Sequence, residues 1–216
     1  MGRYKPKDFY FKKAKRHKYV ARSVYKLEEI QKKYRIIKPG ARVLDLGCYP
    51  GSWLQYAEEK VGTRGLVIGV DLKELKKEFS PRVIFLKQDV NELDPALLKK
   101  YSPVFDVVLS DMAPATTGIG FVDSTRSVYL ADRALGIAIA VLKKGGSFFC
   151  KVFEGEDFPE FLKKVRGEFD RVKIIKPKAS RKDSREIYLL GTGKKSQPSW
   201  KKEEDTPCQD IQSGAL

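Results

Sequence analysis

Histidine and cysteine, the residues that most often bind metals or form disulfides, are scarce in this chain of 216 residues. The three cysteines, Cys48, Cys150 and Cys208, are scattered and form no CxxC pair, which argues against a disulfide framework and against a zinc site. The one histidine, His17, lies inside a run of basic residues, where a surface phosphate contact is favoured over catalysis. The sequence therefore predicts reduced thiols and no bound metal.

Long apolar runs are also missing. No segment approaches the roughly 18 consecutive apolar residues of a membrane-spanning helix. The lysines near the N-terminus are not followed by the apolar core of a signal peptide. We therefore expect a cytoplasmic protein with no membrane partner. With 42% hydrophobic and 33% charged residues, the chain has enough apolar side chain for the core of one domain, and we expect a monomer.

Acidic residues are few relative to basic ones, above all near the N-terminus. The chain has 43 Lys and Arg against 28 Asp and Glu, a formal net charge of +15. Residues 1–42 hold 15 of the basic residues and three of the acidic ones. Such a concentration suits a nucleic acid, whose phosphates release counterions when basic side chains bind them. An anionic membrane surface and a solvated tail are the alternatives.

The distribution of polar and apolar residues predicts three regions. Residues 1–18 have no apolar period and are predicted to form a mobile basic arm. Residues 19–193 are predicted to fold as one domain, beginning with a helix over 20–34, where apolar residues recur at three- and four-residue steps. Residues 194–216 are polar and without a period, which predicts a disordered tail.

Short apolar runs separated by helical stretches follow from residue 42 onward. Strands are predicted near 42–46, 65–71, 82–87, 105–110, 146–152, 171–176 and 186–191, and helices near 52–61, 95–101, 124–143 and 157–167. Several strands lack alternation, so both of their faces are expected to be buried in a parallel sheet covered by helices. The predicted fold class is therefore α/β, a doubly wound and mostly parallel sheet of seven strands, with a hairpin of the last two strands at its edge.

A glycine-bearing loop, Asp45–Trp53, joins the first strand to the next helix. Glycines at 47 and 51 let a ligand approach the backbone closely, which is typical of nucleotide sites. The dinucleotide pattern GxGxxG is absent because Tyr49 stands where the second glycine would be, and this argues against an NAD-dependent dehydrogenase. A cofactor with a nucleoside but no phosphate fits better, and S-adenosylmethionine is such a molecule.

Aspartates end the next strands. Asp71 ends the second strand, where it could accept hydrogen bonds from ribose hydroxyls, and Asp89 ends the third, near the expected adenine. Asp111 ends the fourth strand, and Lys151 ends the fifth within an apolar run. A buried ammonium without partners is costly, so Lys151 is expected either to be functional or to form a structural ion pair with Asp111 or Glu186.

With these residues in place, the chain resembles the FtsJ/RlmE-type 2′-O-ribose RNA methyltransferases. The resemblance spans about residues 20–193 and is carried by Ala21-Arg22-Ser23, Tyr25-Lys26-Leu27, the loop Asp45–Trp53, Ser110-Asp111-Met112-Ala113-Pro114 through Gly118, Lys151-Val152-Phe153 and Ser184-Arg185-Glu186-Ile187-Tyr188. The loop departs from the family pattern at three positions, Cys48, Tyr49 and Ser52. These departures bear on the loop's contacts and leave Gly51 and Trp53 unchanged.

The resemblance implies a class I S-adenosylmethionine-dependent methyltransferase fold, with the catalytic domain over 19–193 and S-adenosylhomocysteine as a product. It implies a catalytic tetrad of Lys26, Asp111, Lys151 and Glu186, and cofactor contacts from Gly51, Trp53, Asp71, Asp89 and Asp111. Lys151 would take the proton of the ribose 2′-hydroxyl or orient that hydroxyl. Because all four tetrad residues are present, a non-catalytic RNA-binding protein on the same fold is disfavoured.

The implied substrate is RNA, which carries the 2′-hydroxyl that DNA lacks. Arg16, Lys18 and Arg22 are close in sequence to Lys26 and are candidates for phosphate contacts. A uridine of large-subunit (23S) ribosomal RNA is the expected target, because the compact single domain is similar to that branch of the family. The tRNA anticodon loop is the alternative, because the tetrad would recognise a ribose and not a base.

Overall fold

The computed structural model describes residues 7–181 and 184–196 of the chain. In this part the strands are β1 (Arg42–Leu46), β2 (Leu66–Asp71), β3 (Val83–Lys87), β4 (Phe105–Ser110), β5 (Leu142–Phe153), β6 (Phe169–Ile175) and β7 (Glu186–Lys194). The helices are α1 (Lys7–Arg16), α2 (Val24–Tyr34), α3 (Ser52–Val61), α4 (Pro95–Lys99), α5 (Gly120–Val141) and α6 (Phe158–Glu168). None of these helices is long and apolar enough to cross a membrane.

The strands form one sheet in the order β3-β2-β1-β4-β5-β7-β6. The pairs within β1 to β5 are parallel, whereas β7 is antiparallel to both β5 and β6. The predicted doubly wound α/β sheet is confirmed, as is the antiparallel pairing of the last two strands at the sheet edge. β6 is the edge strand, and β7 lies inside the sheet between β5 and β6.

Each face of the sheet packs on its own hydrophobic core. One core joins the sheet to α1, α2 and α3, and the other joins it to α4, α5 and α6. Strand β1 contributes to both, because Val43 belongs to the first core and Leu44 and Leu46 to the second. This two-sided burial explains why the strands read as apolar runs without alternation.

Some predicted boundaries move by a few residues. The helix predicted from residue 20 begins at Val24, and the backbone N–H of Val20 instead donates to Oε1 of Gln55 at 2.9 Å. Strand β7 continues to Lys194, one residue into the predicted tail, and residues 197–216 lie outside the described part of the chain. Cys48 and Cys150 are free and buried, as predicted for reduced thiols.

The prediction that residues 1–18 lack regular structure was wrong for α1. Ala14 is 3% exposed, and the ring of Tyr10 lies 5.5 Å from that of Tyr25 on α2. Lys13 adds a salt bridge of 3.7 Å to Glu28. Two apolar contacts one helical turn apart are too few to give a period in the sequence, yet they dock the helix on the domain. Residues 1–6 of the predicted arm lie outside the described residues.

Candidate active site

The predicted catalytic residues meet at one edge of the sheet, where the parallel strands end. Asp111 follows β4 directly, and Lys151 lies near the end of β5. Because β7 is antiparallel to β5, its first residue comes to the same edge: Glu186 pairs with Phe153, and Tyr188 pairs with Lys151. The topology therefore brings together side chains that are far apart in the sequence.

Lys151 is held by Asp111 through two contacts. Its Nζ donates to the backbone carbonyl oxygen of Asp111 at 2.5 Å and lies 3.1 Å from the Oδ1 carboxylate oxygen of the same residue. The Lys151 side chain is 7% exposed. An ammonium has three N–H donors, and these two acceptors account for two of them. One donor remains for a ligand that enters the site.

Asp111 is itself fixed by Tyr188, whose hydroxyl donates to Oδ1 of Asp111 at 2.7 Å. Burial alone would raise the pKa of Asp111, but the charges of Lys151 and Lys26 and the bond from Tyr188 outweigh it, so the pKa lies below its usual value. Burial, followed by the charges of Asp111 and Glu186, holds the pKa of Tyr188 well above its usual value. Tyr188 is therefore a neutral donor to a carboxylate.

Lys26 and Glu186 form the second pair of the site, with Nζ of Lys26 2.8 Å from Oε1 of Glu186. Both side chains are largely buried, at 12% and 14% exposure. Nζ of Lys26 also lies 5.4 Å from the centre of the Tyr188 ring. The four residues of the implied tetrad thus form two ion pairs. Asp111 of the first pair and Lys26 of the second each lie beside Tyr188.

Trp53 helps to hold α2, the helix that carries Lys26, in its position. Its Nε1 donates to the backbone oxygen of Ser23 at 2.9 Å, and its ring stacks on Phe149 at 5.6 Å between centroids. Ser23 immediately precedes α2 and also shares a hydrogen bond of 2.8 Å with Ser52 at the start of α3. Trp53 therefore fixes the end of α2 that carries Lys26.

A cavity of about 390 Å³ opens beside Asp111. It is lined by Gly47, Tyr49, Asp71, Leu72, Lys73, Asp89, Val90, Asn91, Asp111, Met112, Ala113 and Leu130. Three of the five predicted cofactor residues line it, namely Asp71, Asp89 and Asp111. The other two, Gly51 and Trp53, do not, and Trp53 is buried at 2% exposure.

The carboxylates of this cavity are oriented by backbone amides. Asp71 accepts from the N–H of Tyr49 and from that of Lys73, each at 2.9 Å, and Asp89 accepts from the N–H of Asn91 at 2.8 Å. Each carboxylate oxygen has a further lone pair that can accept from a ligand hydroxyl or amino group. Three aspartates against one lysine suit a cationic nucleoside cofactor and disfavour a pyrophosphate.

The loop that follows β1 depends on two glycines. Gly47 has φ +73°, and a Cβ there would lie 2.4 Å from Cγ of Met112. Gly51 has φ +104° and is the N-cap of α3, with a Cβ position 3.0 Å from the Phe79 ring. Gly47 therefore shapes the cavity wall, whereas Gly51 sets the start of the helix.

Asp45 and Tyr188 are the site residues that sequence reasoning left without a role. Asp45 is fully buried, and neither carboxyl oxygen has a hydrogen-bond partner in the described structure. Burial, then the charges of Asp111 and Asp71, raise its pKa well above the usual value. For Tyr188 a signal existed, because its two-residue spacing from Glu186 puts both side chains on one face of a strand.

The predicted RNA contacts separate into two groups. Arg22 lines a second cavity of about 560 Å³ beside the tetrad, together with Ser23, Lys26, Ala179, Arg181, Ser184 and Glu186. Nη2 of Arg22 donates to the backbone oxygen of Ala179 at 2.5 Å, and its Nη1 is buried without a partner in the described structure. Burial, then the charge of Arg181, lower the pKa of Arg22. Arg16 and Lys18 are exposed at the end of α1 and do not line this cavity.

Comparisons with known proteins are consistent with this geometry. A family profile described as FtsJ-like methyltransferase matches residues 19–194. The chain is 51% identical over 194 residues to a protein of Desulfosudis oleivorans named ribosomal RNA large subunit methyltransferase E, an alignment that covers 90% of this chain and 93% of that protein. It is 52% identical over 190 residues to the protein of the same name from Syntrophobacter fumaroxidans, with 87% and 96% covered.

A solved structure is similar over most of its length. It is a Plasmodium falciparum protein, provisionally named a ribosomal RNA methyltransferase, and it superposes with a TM-score of 0.70 at 29% identity. The match covers 82% of this chain and 98% of that one.

Proposed function

Because this chain belongs to the FtsJ-like methyltransferase family, we propose that it transfers the methyl group of S-adenosylmethionine to a ribose 2′-oxygen of RNA. The fold is that of class I methyltransferases, and the chain is a methyltransferase. The observation that carries the proposal is the buried Lys151–Asp111 ion pair. Asp111 lines the acidic cavity, and the other tetrad pair, Lys26 and Glu186, lines the second cavity.

The acidic cavity is the proposed cofactor site. S-adenosylmethionine supplies an electrophilic methyl group on a sulfonium, whose positive charge is complemented by the aspartates. Asp71 would accept from the ribose hydroxyls and Asp89 from the adenine amino group, while Gly47 keeps the loop backbone close to the cofactor. Gly51 and Trp53 would act on cofactor binding indirectly, by holding the loop and α3.

Lys151 is the proposed catalytic group. The 2′-hydroxyl is a weak nucleophile, so it must be aligned with the methyl group and its proton must be accepted or its developing charge stabilised. Two donors of Lys151 are directed to Asp111, and the remaining one would contact the 2′-oxygen. Asp111 would position Lys151, and the Lys26–Glu186 pair would hold the ribose.

The proposed RNA is that of the large ribosomal subunit, with a uridine of 23S rRNA as the target. Support for large-subunit RNA comes from the relatives named ribosomal RNA large subunit methyltransferase E, which are about half identical to this chain over 90% and 87% of its length. The tRNA anticodon loop is the second candidate, because a ribose-directed tetrad does not itself distinguish the two RNAs. We also propose that the enzyme acts as a monomer in the cytoplasm.

Methyl transfer to defined RNAs tests this proposal. Purified protein is incubated with S-adenosylmethionine labelled in the methyl group and with either unmodified large-subunit particles or total tRNA. Label is expected in the ribosomal RNA and on a 2′-oxygen, and an RNA with a 2′-deoxy nucleotide at the target should take up none. Labelling of tRNA alone would favour the second candidate, the tRNA anticodon loop, over ribosomal RNA. Labelling of a base would refute ribose methylation.

Lys151→Ala tests the mechanism. The variant should lose at least about a thousandfold in kcat, because general acid-base groups contribute on the order of 10²–10⁴-fold and its orienting role is lost as well. Cofactor affinity, measured by calorimetry, should stay within a few-fold. Lys163→Ala, which removes an exposed lysine of α6, is the matched control and should behave as wild type. Activity retained in Lys151→Ala would remove Lys151 from the mechanism.

A further inference from the structure

A separate cavity of about 580 Å³ lies at the end of the sheet opposite the tetrad, where the parallel strands begin. Its walls come from the end of α2, the segment that precedes β1, the beginnings of β4, β5 and β6, and the end of β7. Thr192 of this lining stands six residues after Glu186 on β7, which places the two sites about 20 Å apart along that strand. The proposed methyl-transfer chemistry makes no use of it.

The cavity is lined by more positive charge than the protein neutralises. Five cations face it, namely Arg35, Lys38, Lys143, Arg171 and Lys173, against one carboxylate, Asp106. Asp106 is engaged by Lys143 at 2.5 Å and by the backbone N–H of Arg42 at 2.7 Å. The other four cations have no carboxylate partner within the described residues. Uncompensated charges in a concave surface repel each other and attract an anion.

An aromatic ring adds to this lining. Nζ of Lys173 lies 4.9 Å from the centre of the Tyr34 ring, so this lysine is held at the wall of the cavity. Tyr34 is the last residue of α2, and Arg35 is its C-cap. The cavity therefore sits at the end of the helix whose first turn carries Lys26.

Two elements connect the cavity to the tetrad. Along α2, Lys26 and Arg35 are nine residues apart, about 13.5 Å along the helix axis. Along the edge strand β6, Arg171 and Lys173 point to the same side as Ile175, which pairs with Tyr188 of the site. At about 3.4 Å per nucleotide of a stacked strand, these distances correspond to about four to six nucleotides.

We propose that this cavity is a second binding site for RNA phosphates, which holds the substrate strand about four to six nucleotides away from the methylated ribose. We call it the distal phosphate site, defined by Arg35, Lys38, Arg171 and Lys173. The proposal rests on RNA being the substrate. A polynucleotide fits better than a free nucleotide, because the cations are exposed along a strand and a helix that lead toward the tetrad.

The test is a triple variant, Lys38→Gln, Arg171→Gln and Lys173→Gln, whose side chains are all exposed. Lys99→Gln, Lys100→Gln and Lys163→Gln together form the control, since they remove the same charge from exposed positions near α4 and α6. Affinity is measured by fluorescence anisotropy at several salt concentrations, for labelled single-stranded RNAs of about 20 and about three nucleotides. The shorter RNA cannot span both sites.

The triple variant should bind the long RNA about tenfold more weakly than wild type. Its plot of log affinity against log salt should be less steep by about 2, because each lost phosphate contact removes about 0.7 from the slope on a single strand. Affinity for the short RNA should stay within about twofold. An unchanged slope for the long RNA, an equal loss for the short RNA, or an equal loss in the control would each overturn the proposal.

A free nucleotide as the true ligand gives a different result. With the cofactor cavity filled by S-adenosylhomocysteine, adenosine monophosphate is titrated into wild type and triple variant by calorimetry. Binding to wild type that the triple variant loses would make the cavity a nucleotide site and would overturn the RNA assignment. These binding measurements need no methyl transfer, so an enzyme that fails to methylate RNA would refute the proposed function separately.

Discussion

Tyr188 is the side chain that contacts both ion pairs of the proposed active site. It donates to Asp111 at 2.7 Å, and its ring lies 5.4 Å from Nζ of Lys26. It touches groups of the tetrad and not the reacting atoms, so we assign it a positioning role. In the folded protein it remains a neutral donor because burial holds its pKa well above the usual value.

Tyr188→Phe should therefore impair catalysis without abolishing it. A hydrogen bond to a charged group contributes about 1.5–3 kcal/mol, which corresponds to a loss in kcat of about tenfold or more if Asp111 and Lys151 lose their alignment. The KM values for cofactor and RNA should change little. Tyr129→Phe, at a ring that is 62% exposed, is the control. A change confined to KM would contradict the positioning role.

Asp45 is a second residue whose influence on stability follows from its surroundings in the folded protein and not from the sequence. Its folded pKa is raised, so the stability associated with its neutral form is present below its ordinary pKa and is lost as the pH rises through the folded value. Asp45→Asn imitates the neutral carboxyl at every pH. Relative to wild type, its gain in melting temperature should be larger at pH 8 than at pH 5, by about 2–4 °C for each kcal/mol that wild type loses between these two pH values.

The control for this experiment is Asp170→Asn, because Asp170 is an exposed aspartate of β6. That variant should follow the wild-type dependence of melting temperature on pH. Parallel curves for Asp45→Asn and wild type between pH 5 and 8 would show that Asp45 is charged or compensated in the folded protein.

The sequence could predict these residues only in part. Lys151 stood out because a lysine interrupts an apolar run, and Asp111 because it ends a strand. The Asp111–Tyr188 hydrogen bond and the isolation of Asp45 depend on the neighbours that the sheet places around them. Trp53 was expected at the cofactor, but its indole instead bonds to Ser23, a contact that depends on how α2 packs on α3.

Among the elements, the turn between β1 and α3 connects the fold most directly to the proposed cofactor site. Gly47 combines a positive φ with a close approach to Met112, which itself lines the proposed cofactor cavity. Gly62 at the other end of α3 also has a positive φ, +65°, but nothing lies within 4 Å of its Cβ position. Substitutions at these two glycines therefore distinguish the effect of backbone strain from the effect of a steric contact with the cavity wall.

Gly47→Ala should therefore reduce cofactor affinity by at least about tenfold, in addition to a stability loss of about 1–3 kcal/mol from the strained backbone. Gly62→Ala should lose stability by backbone strain alone and keep its cofactor affinity. Calorimetric titration with S-adenosylhomocysteine and thermal melting measure the two effects. Equal affinity losses in both variants would mean that backbone strain in the fold, and not the cavity wall, controls binding.

Elements with many buried residues were predictable, and those held by few contacts were not. The strand at 42–46 and the helix at 52–61 match β1 and α3. Helix α1 was missed because its docking rests on Tyr10 and Ala14. Strand β5 begins at Leu142, four residues before its predicted start, because Leu142 pairs with Phe105 ahead of an irregularity in the ladder.

At the scale of the whole molecule, the cations assigned to RNA binding lie on the face of the sheet that carries α1 and α2. Arg16 and Lys18 are exposed at the end of α1, Arg22 lines the cavity next to the tetrad, and the distal phosphate site lies at the far end of α2. The docking of α1 turns an expected mobile arm into a fixed part of this surface. Its cations can therefore act at a defined distance from Lys26.

Arg16→Gln with Lys18→Gln tests whether α1 contacts the substrate. Two lost phosphate contacts should weaken binding of a 20-nucleotide RNA several-fold and reduce the steepness of its salt dependence by about 1.4, at about 0.7 per contact on a single strand. Lys99→Gln with Lys100→Gln removes the same charge elsewhere and should leave that slope unchanged. A slope equal to wild type in the Arg16 and Lys18 variant would exclude α1 from the RNA interface, and substrate binding would then depend on Arg22 and the distal phosphate site.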